Sequence, residues 1–357
     1  MFRFLQWLGL LFSVLSIVLG LGILACYIAR WDTVSAVTLF PFWVWGIIGI
    51  GLSLMAWRLQ RRIWCLLLFL TWLCLTLFYS DDLSRLILSS LSWPLSNRTP
   101  ATGLPLRVIT LNCAGQAVAA QEAGDWKPDL VLLQESPSSN DVSRLAQVWF
   151  GNEADFLVGL DCSIVARGRL ARLSGLETAQ STVARLTLPQ GRDVEVVSLR
   201  LIPPETRLDL WSPACWHAHL HDRLVRKGQM QQLVDHLKGF KPDIPCIAGG
   251  DFNSPAGDAV SRLLKPRLKD TFREGGIGWG NTGINEFPIS RPDQIWVSGD
   301  CQTIAAWVVK TRNSDHRMVV CDLACTPSSP SLLDKSLPPG SGRSRVRNHV
   351  SGNPGKN

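Results

Sequence analysis

The chain has 357 residues, 46% of them apolar, enough for one domain with a sizeable core beside further segments. Its formal net charge of +7 suits anionic partners and singles out none. Its ten cysteines include no Cys-x-x-Cys pair, which excludes zinc-type ligand spacing, and no internal repeat is present.

The N-terminal third reads as membrane. Before Asp81 the charges fall only at Arg3, Arg30, Asp32, Arg58, Arg61 and Arg62. They leave uncharged apolar stretches at residues 4–29, 33–57 and 63–80. A spanning helix needs about 20 apolar residues, with roughly 17 as the lower limit. All three stretches reach it, the third only just, so residues 1–80 are expected to form three transmembrane helices. A cleaved signal peptide with Arg3 as its basic end would explain the first stretch but not the two that follow. The loop Arg58-Leu-Gln-Arg-Arg62 carries three arginines and no acid, which assigns it to the cytoplasm. The large domain is then expected to be extracytoplasmic, on an integral protein of the cell membrane. Trp7, Trp31, Trp43, Trp45, Trp57 and Trp64 include several near the span ends, as interfacial anchoring favours.

Residues 81–105 form the juxtamembrane segment. Leu83, Leu86, Ile87 and Leu91 have helical spacing, which fits either an amphipathic helix on the membrane surface or a linker packed on the domain. Residues 96–105 read as a polar, proline-containing linker.

Residues 106–325 form the soluble domain. Strand-like runs lie at 106–111, 130–133, 163–166, 181–188, 194–201, 245–248, 294–297, 305–309 and 317–322. Several are nearly all apolar, as in strands covered on both faces. Helices are expected near 140–150, 222–238 and 256–264. Many strands with few helices imply layers packed on two sheets, an α/β class. Cys113, Cys162, Cys215, Cys246, Cys301, Cys321 and Cys325 look like scattered buried thiols more than a disulfide framework, with one or two bridges open outside the cytoplasm. Residues 326–357, rich in Pro, Ser, Gly and Arg, read as a disordered basic tail.

Four separated motifs end strand-like runs: Thr110-Leu-Asn112, Leu132-Leu-Gln-Glu135, Gly250-Asp-Phe-Asn253 and Ser314-Asp-His316. Strand ends let a rigid sheet present polar groups to one cleft. Asp251 and Asn253, two apart in extended chain, point to the same face. Glu135 ends a buried run and is either a metal ligand or a capping acceptor. His316 is suited to proton transfer near neutral pH. Hydrolysis of a phosphate ester needs such a set, with hard oxygen ligands for Mg²⁺.

Taken in order, the motifs resemble the endonuclease/exonuclease/phosphatase superfamily, which includes pancreatic deoxyribonuclease, apurinic-site endonucleases, bacterial sphingomyelinases and inositol polyphosphate phosphatases. The resemblance implies a four-layer α/β sandwich and a metal-dependent phosphoester hydrolase. It implies Glu135 at a Mg²⁺ site, with Mn²⁺ the alternative ion, and Asn112 as a metal-proximal or phosphate-contacting group; Asp315 is expected as a second carboxylate of that metal site. It implies Asp251 as the group that orients or deprotonates water, Asn253 as holder of a phosphate oxygen, and Asp293 as partner of His316. Arg200 stands where deoxyribonuclease-like members carry a second histidine. An arginine grips phosphate but is no general acid, so a phosphate clamp and a pseudoenzyme both stay open. A phosphodiester in nucleic acid is the favoured substrate, a phospholipid or sphingomyelin headgroup the alternative, and the lipid bilayer the other expected partner. Trp211, Trp216 and Trp279 border the motifs, where they stack on a base, enter lipid, or simply pack. The insert from Trp211 to His221 puts His217, His219 and His221 on one face if extended, but only His217 and His221 if helical.

Overall fold

A computed structural model describes residues 2–92, 103–173, 178, 180–241 and 243–326. The chain opens with α1 (Phe2–Ala29), α2 (Ser35–Thr38), α3 (Phe42–Gln60), α4 (Ile63–Tyr79) and α5 (Asp81–Ser92). The expected second span is split because Pro41 sits immediately before α3, where it disfavours helix in the preceding residue. Two helices are long and apolar enough to cross a membrane, residues 3–29 and α3. Of the three expected spans, the third does not qualify by itself and counts only if α4 and α5 are taken together as one bent span. α4 has 17 residues, about 25 Å of rise against a hydrocarbon core of about 30 Å. Extended backbone at Ser80 ends it, and the following helix turns away by 91°.

These helices pack closely through small and polar residues. Ser16 and Ser53 hydroxyls meet at 2.9 Å, and the Trp72 indole donates to Ser16 at 2.8 Å. Gly49 lies against the Trp72 ring, where a Cβ would collide. Phe42 stacks on Tyr79, so α4 runs back along α3 to the same end. α5 packs on the soluble domain: Arg85 donates to the Arg273 carbonyl, and Ser89 accepts from the Gly278 amide at 3.2 Å.

The domain continues with β1 (Leu104–Asn112), α6 (Ala117–Gln121), β2 (Leu130–Gln134), α7 (Ser139–Phe150), β3 (Ala154–Val158), β4 (Cys162–Arg167), β5 (Arg169–Arg172), β6 (Ser181–Thr187) and β7 (Asp193–Arg200). It closes with α8 (Pro213–Leu237), β8 (Cys246–Asp251), β9 (Leu268–Asp270), α9 (Thr271–Gly275), β10 (Asp293–Ser298), β11 (Cys301–Val309) and β12 (Met318–Cys325). One sheet runs β11-β12-β1-β2-β4-β3 and the other β5-β6-β7-β8-β10-β9. β1–β2 and β7–β8 are parallel pairs; their neighbours are antiparallel.

Three apolar clusters make the layers. Val108, Leu132 and Ile164 of one sheet face Val196, Ile247 and Ile295 of the other. The outer face of the first sheet is covered by α6 and α7 through Ala120, Val142 and Leu145. α8 covers the second through Met230, Leu233 and Leu237. Two packed mixed sheets flanked by helices are therefore present, as expected. The helix expected at 222–238 begins earlier, at Pro213, whose fixed φ suits a first turn. Instead of a helix at 256–264 there is a single 3₁₀ turn at Ser261–Leu264. β3, β5 and β9 were not legible because β3 and β5 are half-buried or exposed edge strands and β9 has three residues. Cys301 and Cys325 form a disulfide, while Cys113, Cys162, Cys215, Cys246 and Cys321 are buried thiols. The basic tail from residue 327 and linker residues 93–102 lie outside the described residues.

Candidate active site

Strand register gathers the polar groups. Asn112 closes β1 and Glu135 follows β2, beside it in the parallel pair. In the second sheet Asp251 at the end of β8 is paired with Arg200 of β7 on one side and Asp293 of β10 on the other. His316 precedes β12, and Gly283 pairs with it across the loop. Gly250 supplies the close approach here. Its φ is +151°, and a Cβ would collide with the Leu199 carbonyl. Glu135 and Asn253 also have left-handed backbone, with φ of 41° and 47°. Asn tolerates this conformation; a glutamate held there is strained, a feature of functional sites.

The carboxylates are bridged rather than dispersed. Asn112 donates from Nδ2 to Glu135 Oε1 at 3.0 Å and to Asp251 Oδ2 at 3.1 Å. Its own Oδ1 accepts from the Ala114 amide at 3.0 Å. Asp251 is buried and accepts from the Asn253 amide at 2.9 Å and from Asn253 Nδ2 at 3.1 Å. Asn253 Nδ2 also reaches the Leu201 carbonyl at 2.8 Å. Burial, then the charge of Asp293, pushes the Asp251 carboxyl up to about 6, against His316 and the bonds from Asn253 and Asn112.

His316 Nδ1 lies 2.8 Å from Asp293 Oδ2. Burial, the largest influence, opposes a charged ring. The charge and hydrogen bond of Asp293, with Asp251 and Asp315 behind it, prevail and carry the imidazolium up to about 10. The backbone amide of His316 donates to Ser314 Oγ at 3.0 Å, and that hydroxyl donates to the Asn112 carbonyl at 2.7 Å. The Pro292 carbonyl accepts the Phe252 amide at 2.9 Å and so ties the Asp293 strand to the Asp251 loop.

Arg200 is held between two acids. Nη2 donates to Glu135 Oε1 at 2.6 Å, and Nη1 to Asp161 Oδ2 at 2.9 Å. Asp161 was missed by sequence reasoning: it lies in a loop before β4, with no motif around it. Beneath the site, Thr110, Gln134 and Ser198 form a buried polar row linking the sheets, at 3.0 Å and 3.2 Å. The Thr110 motif position was the one available signal for this row.

Asp315 is the site residue set apart. Its side chain is exposed, and its carbonyl accepts from the Asn285 amide at 2.7 Å. The histidine-rich insert is helical within α8, so His217 and His221 share an exposed face. His219 is buried against the Arg207 carbonyl at 2.7 Å. The three histidines therefore make no joint site.

A divalent cation fits the residues present. Asp251, Asp293 and His316 offer ligand atoms within 4.8 Å of one another, and among the described residues this is the one such group of three. Asp293 is fully buried, and its Oδ1 has no hydrogen-bond partner among the described residues. A buried acidic oxygen left over in a cluster of carboxylates calls for a cation. Glu135 and Asp251, linked by Asn112, provide the hard oxygens.

Two packed sheets with an acid, amide and imidazole cluster at their strand ends define a phosphoester-hydrolase class of site. Residues 109–316, more than half of the chain, match the Endonuclease/Exonuclease/phosphatase family. The chain belongs to that family and is a hydrolase of phosphate ester bonds. Among solved structures, an endonuclease/exonuclease/phosphatase from Bacteroides vulgatus is 15% identical with a TM-score of 0.49, over 62% of this chain and 99% of that one. The mannosyl-6-phosphatase of Bacteroides thetaiotaomicron is 15% identical at 0.48, over 61% and 99%. A humanized D. rerio TDP2 is 17% identical at 0.46, over 61% and 98%. No curated protein sequence matches the chain.

Proposed function

We propose that this chain is a membrane-held, divalent-metal-dependent phosphodiesterase. The observation that carries the reading is the acid cluster at the strand ends, in which Asn112 Nδ2 bridges Glu135 and Asp251 beside the buried Asp293–His316 pair. Mg²⁺, or Mn²⁺ in its place, would be held by Glu135 and Asp251, with Asn112 fixing their spacing. When bound, it neutralises phosphate charge and acidifies water.

The protein groups divide the remaining work. Asp251, buried and fixed by Asn112 and Asn253 at the strand end, is placed to take a proton from the attacking water. Asn253 can hold a phosphate oxygen in the same cleft by giving up one of its two amide bonds, to Asp251 Oδ2 or to the Leu201 carbonyl. His316 is cationic across the neutral range and stabilises charge gathering on the phosphoryl oxygens. Asp293 orients that ring through Nδ1, leaving Nε2 for the substrate. Arg200 is a fork of donors beside Glu135, suited to gripping a phosphate oxygen.

Membrane holding is supported by the two long apolar helices. The domain sits at the end of the helices opposite Arg58, Arg61 and Arg62, since Asp32, in the loop leading to α2, bonds Lys227 of α8 at 2.9 Å. With the arginines inside, and α4 returning along α3 so that Tyr79 meets Phe42, the domain faces out. A Cys301–Cys325 disulfide suits an oxidising compartment.

A nucleic-acid substrate is supported by the motif resemblance, and a lipid headgroup by contact of Trp279 with Trp43 of α3. The test is a hydrolysis screen of the full chain, with Mg²⁺ or EDTA, over DNA, RNA, sphingomyelin, phosphoinositides and a small chromogenic diester. Hydrolysis that EDTA abolishes is expected. A full chain that binds Mg²⁺ yet hydrolyses none of these would refute the proposal.

A further inference from the structure

The segment between α9 and β10 links the catalytic histidine to the membrane helices. Its Gly283 pairs with His316, and the Asn285 amide donates to the Asp315 carbonyl at 2.7 Å. At its other end Trp279 lies edge-on to Trp43, ring centroids 6.1 Å apart, at the first turn of α3. The Trp279 indole donates to the Pro288 carbonyl at 3.3 Å, which draws the loop back on itself. Ile284 and Phe287, between these anchors, are 61% and 69% exposed. Two large apolar side chains exposed on a loop tied both to His316 and to α3 suit contact with lipid.

Independent contacts fix this rim at the helix ends. Arg223 of α8 is buried, pairs with Asp258 at 2.5 Å, and donates to Thr38 Oγ1 of α2. Arg291, two residues before Asp293, lies between Asp270 at 2.7 Å and Asp82 of α5 at 3.6 Å. Trp216 packs against the helix cluster of Tyr27, Phe42 and Trp72, and its indole holds the Leu210 carbonyl at 2.8 Å. Trp211 beside it is 87% exposed. Apolar projections thus flank the site where α3 meets the domain.

We infer that the cleft opens at the bilayer surface and takes a phosphodiester carried by a lipid. This inference rests on the hydrolase reading above and adds the substrate class. The reaction is hydrolysis. Water oxygen bonds to phosphorus, the bond from phosphorus to the lipid alcohol breaks, and the water proton leaves with that alcohol. The products are a phosphomonoester and a membrane-resident alcohol.

The test uses the full chain reconstituted in lipid vesicles, so that the lipid probe is part of its own bilayer. Three probes are compared with Mg²⁺ present: vesicles of phosphatidylglycerol and sphingomyelin in phosphatidylcholine, a single-stranded DNA oligonucleotide, and bis(p-nitrophenyl) phosphate. Vesicle lipid is expected to be cleaved with higher kcat/KM than DNA. Ile284→Ser combined with Phe287→Ser should lower vesicle cleavage about tenfold by weakening surface contact, and leave the soluble ester unchanged. DNA cleaved in preference to lipid, or equal losses on both substrates in the double variant, would overturn the inference. Loss of all three activities in wild type would count against the hydrolase itself, so photoreactive phosphatidylcholine supplies a readout free of turnover. Crosslinks are expected on residues 284–287. Their absence would overturn the surface placement whatever the activity.

Discussion

His316 and Asp251 set opposite limits on pH. A histidine with a raised folded-state pKa keeps its proton more tightly when folded. Its stabilising pair with Asp293 is therefore complete below the ordinary value of 6.5 and lost as pH rises through about 10. Activity that needs the imidazolium should hold to about pH 10 and fall above it. Asp293→Asn removes the main raising influence and should bring this alkaline limb down, as read from kcat/KM against pH; a limb that stays in place refutes the pairing. Asp251 acts as base only when ionised, so activity should rise through about pH 6, and a bound divalent cation can only lower that limb.

Arg200 and Glu135 make a linked prediction at the same scale. The guanidinium occupies Glu135 Oε1 at 2.6 Å, so it competes with a metal for that oxygen. Arg200→Ala should tighten Mg²⁺ binding measured by calorimetry. It should also cost about 2–4 kcal/mol of transition-state stabilisation, as for loss of one preorganised donor. Arg200→Lys should recover part of the rate, because a point charge lacks the planar fork. Unchanged rate and unchanged affinity would make Arg200 structural. Glu135→Gln should raise the Mg²⁺ requirement and abolish turnover with little loss of folding; unchanged metal dependence would remove Glu135 from the metal site.

At the scale of elements, the site depends on how two strands end. β7 and β8 are parallel, and only glycine at 250 lets them approach as closely as they do. Gly250→Ala forces a left-handed alanine against the Leu199 carbonyl. It should cost at least about 1–3 kcal/mol, the range for one strained residue, seen as a lower denaturation midpoint and a parallel loss of activity. A melting curve identical to wild type would contradict the close approach. α8 shows the complementary point. Its Met230, Leu233 and Leu237 face serves the core, while Arg223 and Lys227 reach the segments around α2, so one helix joins the layered domain to the N-terminal helices.

For the whole molecule the prediction is topological. A phosphatase reporter fused after Pro100 should be active outside the cytoplasm, because the domain docks at the helix ends away from Arg58, Arg61 and Arg62. A cytoplasmic reporter signal would invert the orientation. It would also require the Cys301–Cys325 pair to be explained in a reducing compartment.

The sequence alone determined the apolar N-terminal region and the layered α/β class. Charge spacing and uninterrupted apolar runs are local signals that survive folding. It also singled out Asn112, Glu135, Asp251, Asn253, Asp293 and His316, each of which follows or opens a strand-like run, and the fold brings them together. Only tertiary structure decided what these residues touch. Asp161 reaches Arg200 from a loop 39 positions away. The shortfall of α4 follows from where backbone turns at Ser80, which hydropathy does not register. The exposed face of Asp315 follows from loop geometry, because a residue beside His316 can point either way. Contact of Trp279 with Trp43 spans more than two hundred residues of chain, and packing alone brings such partners together.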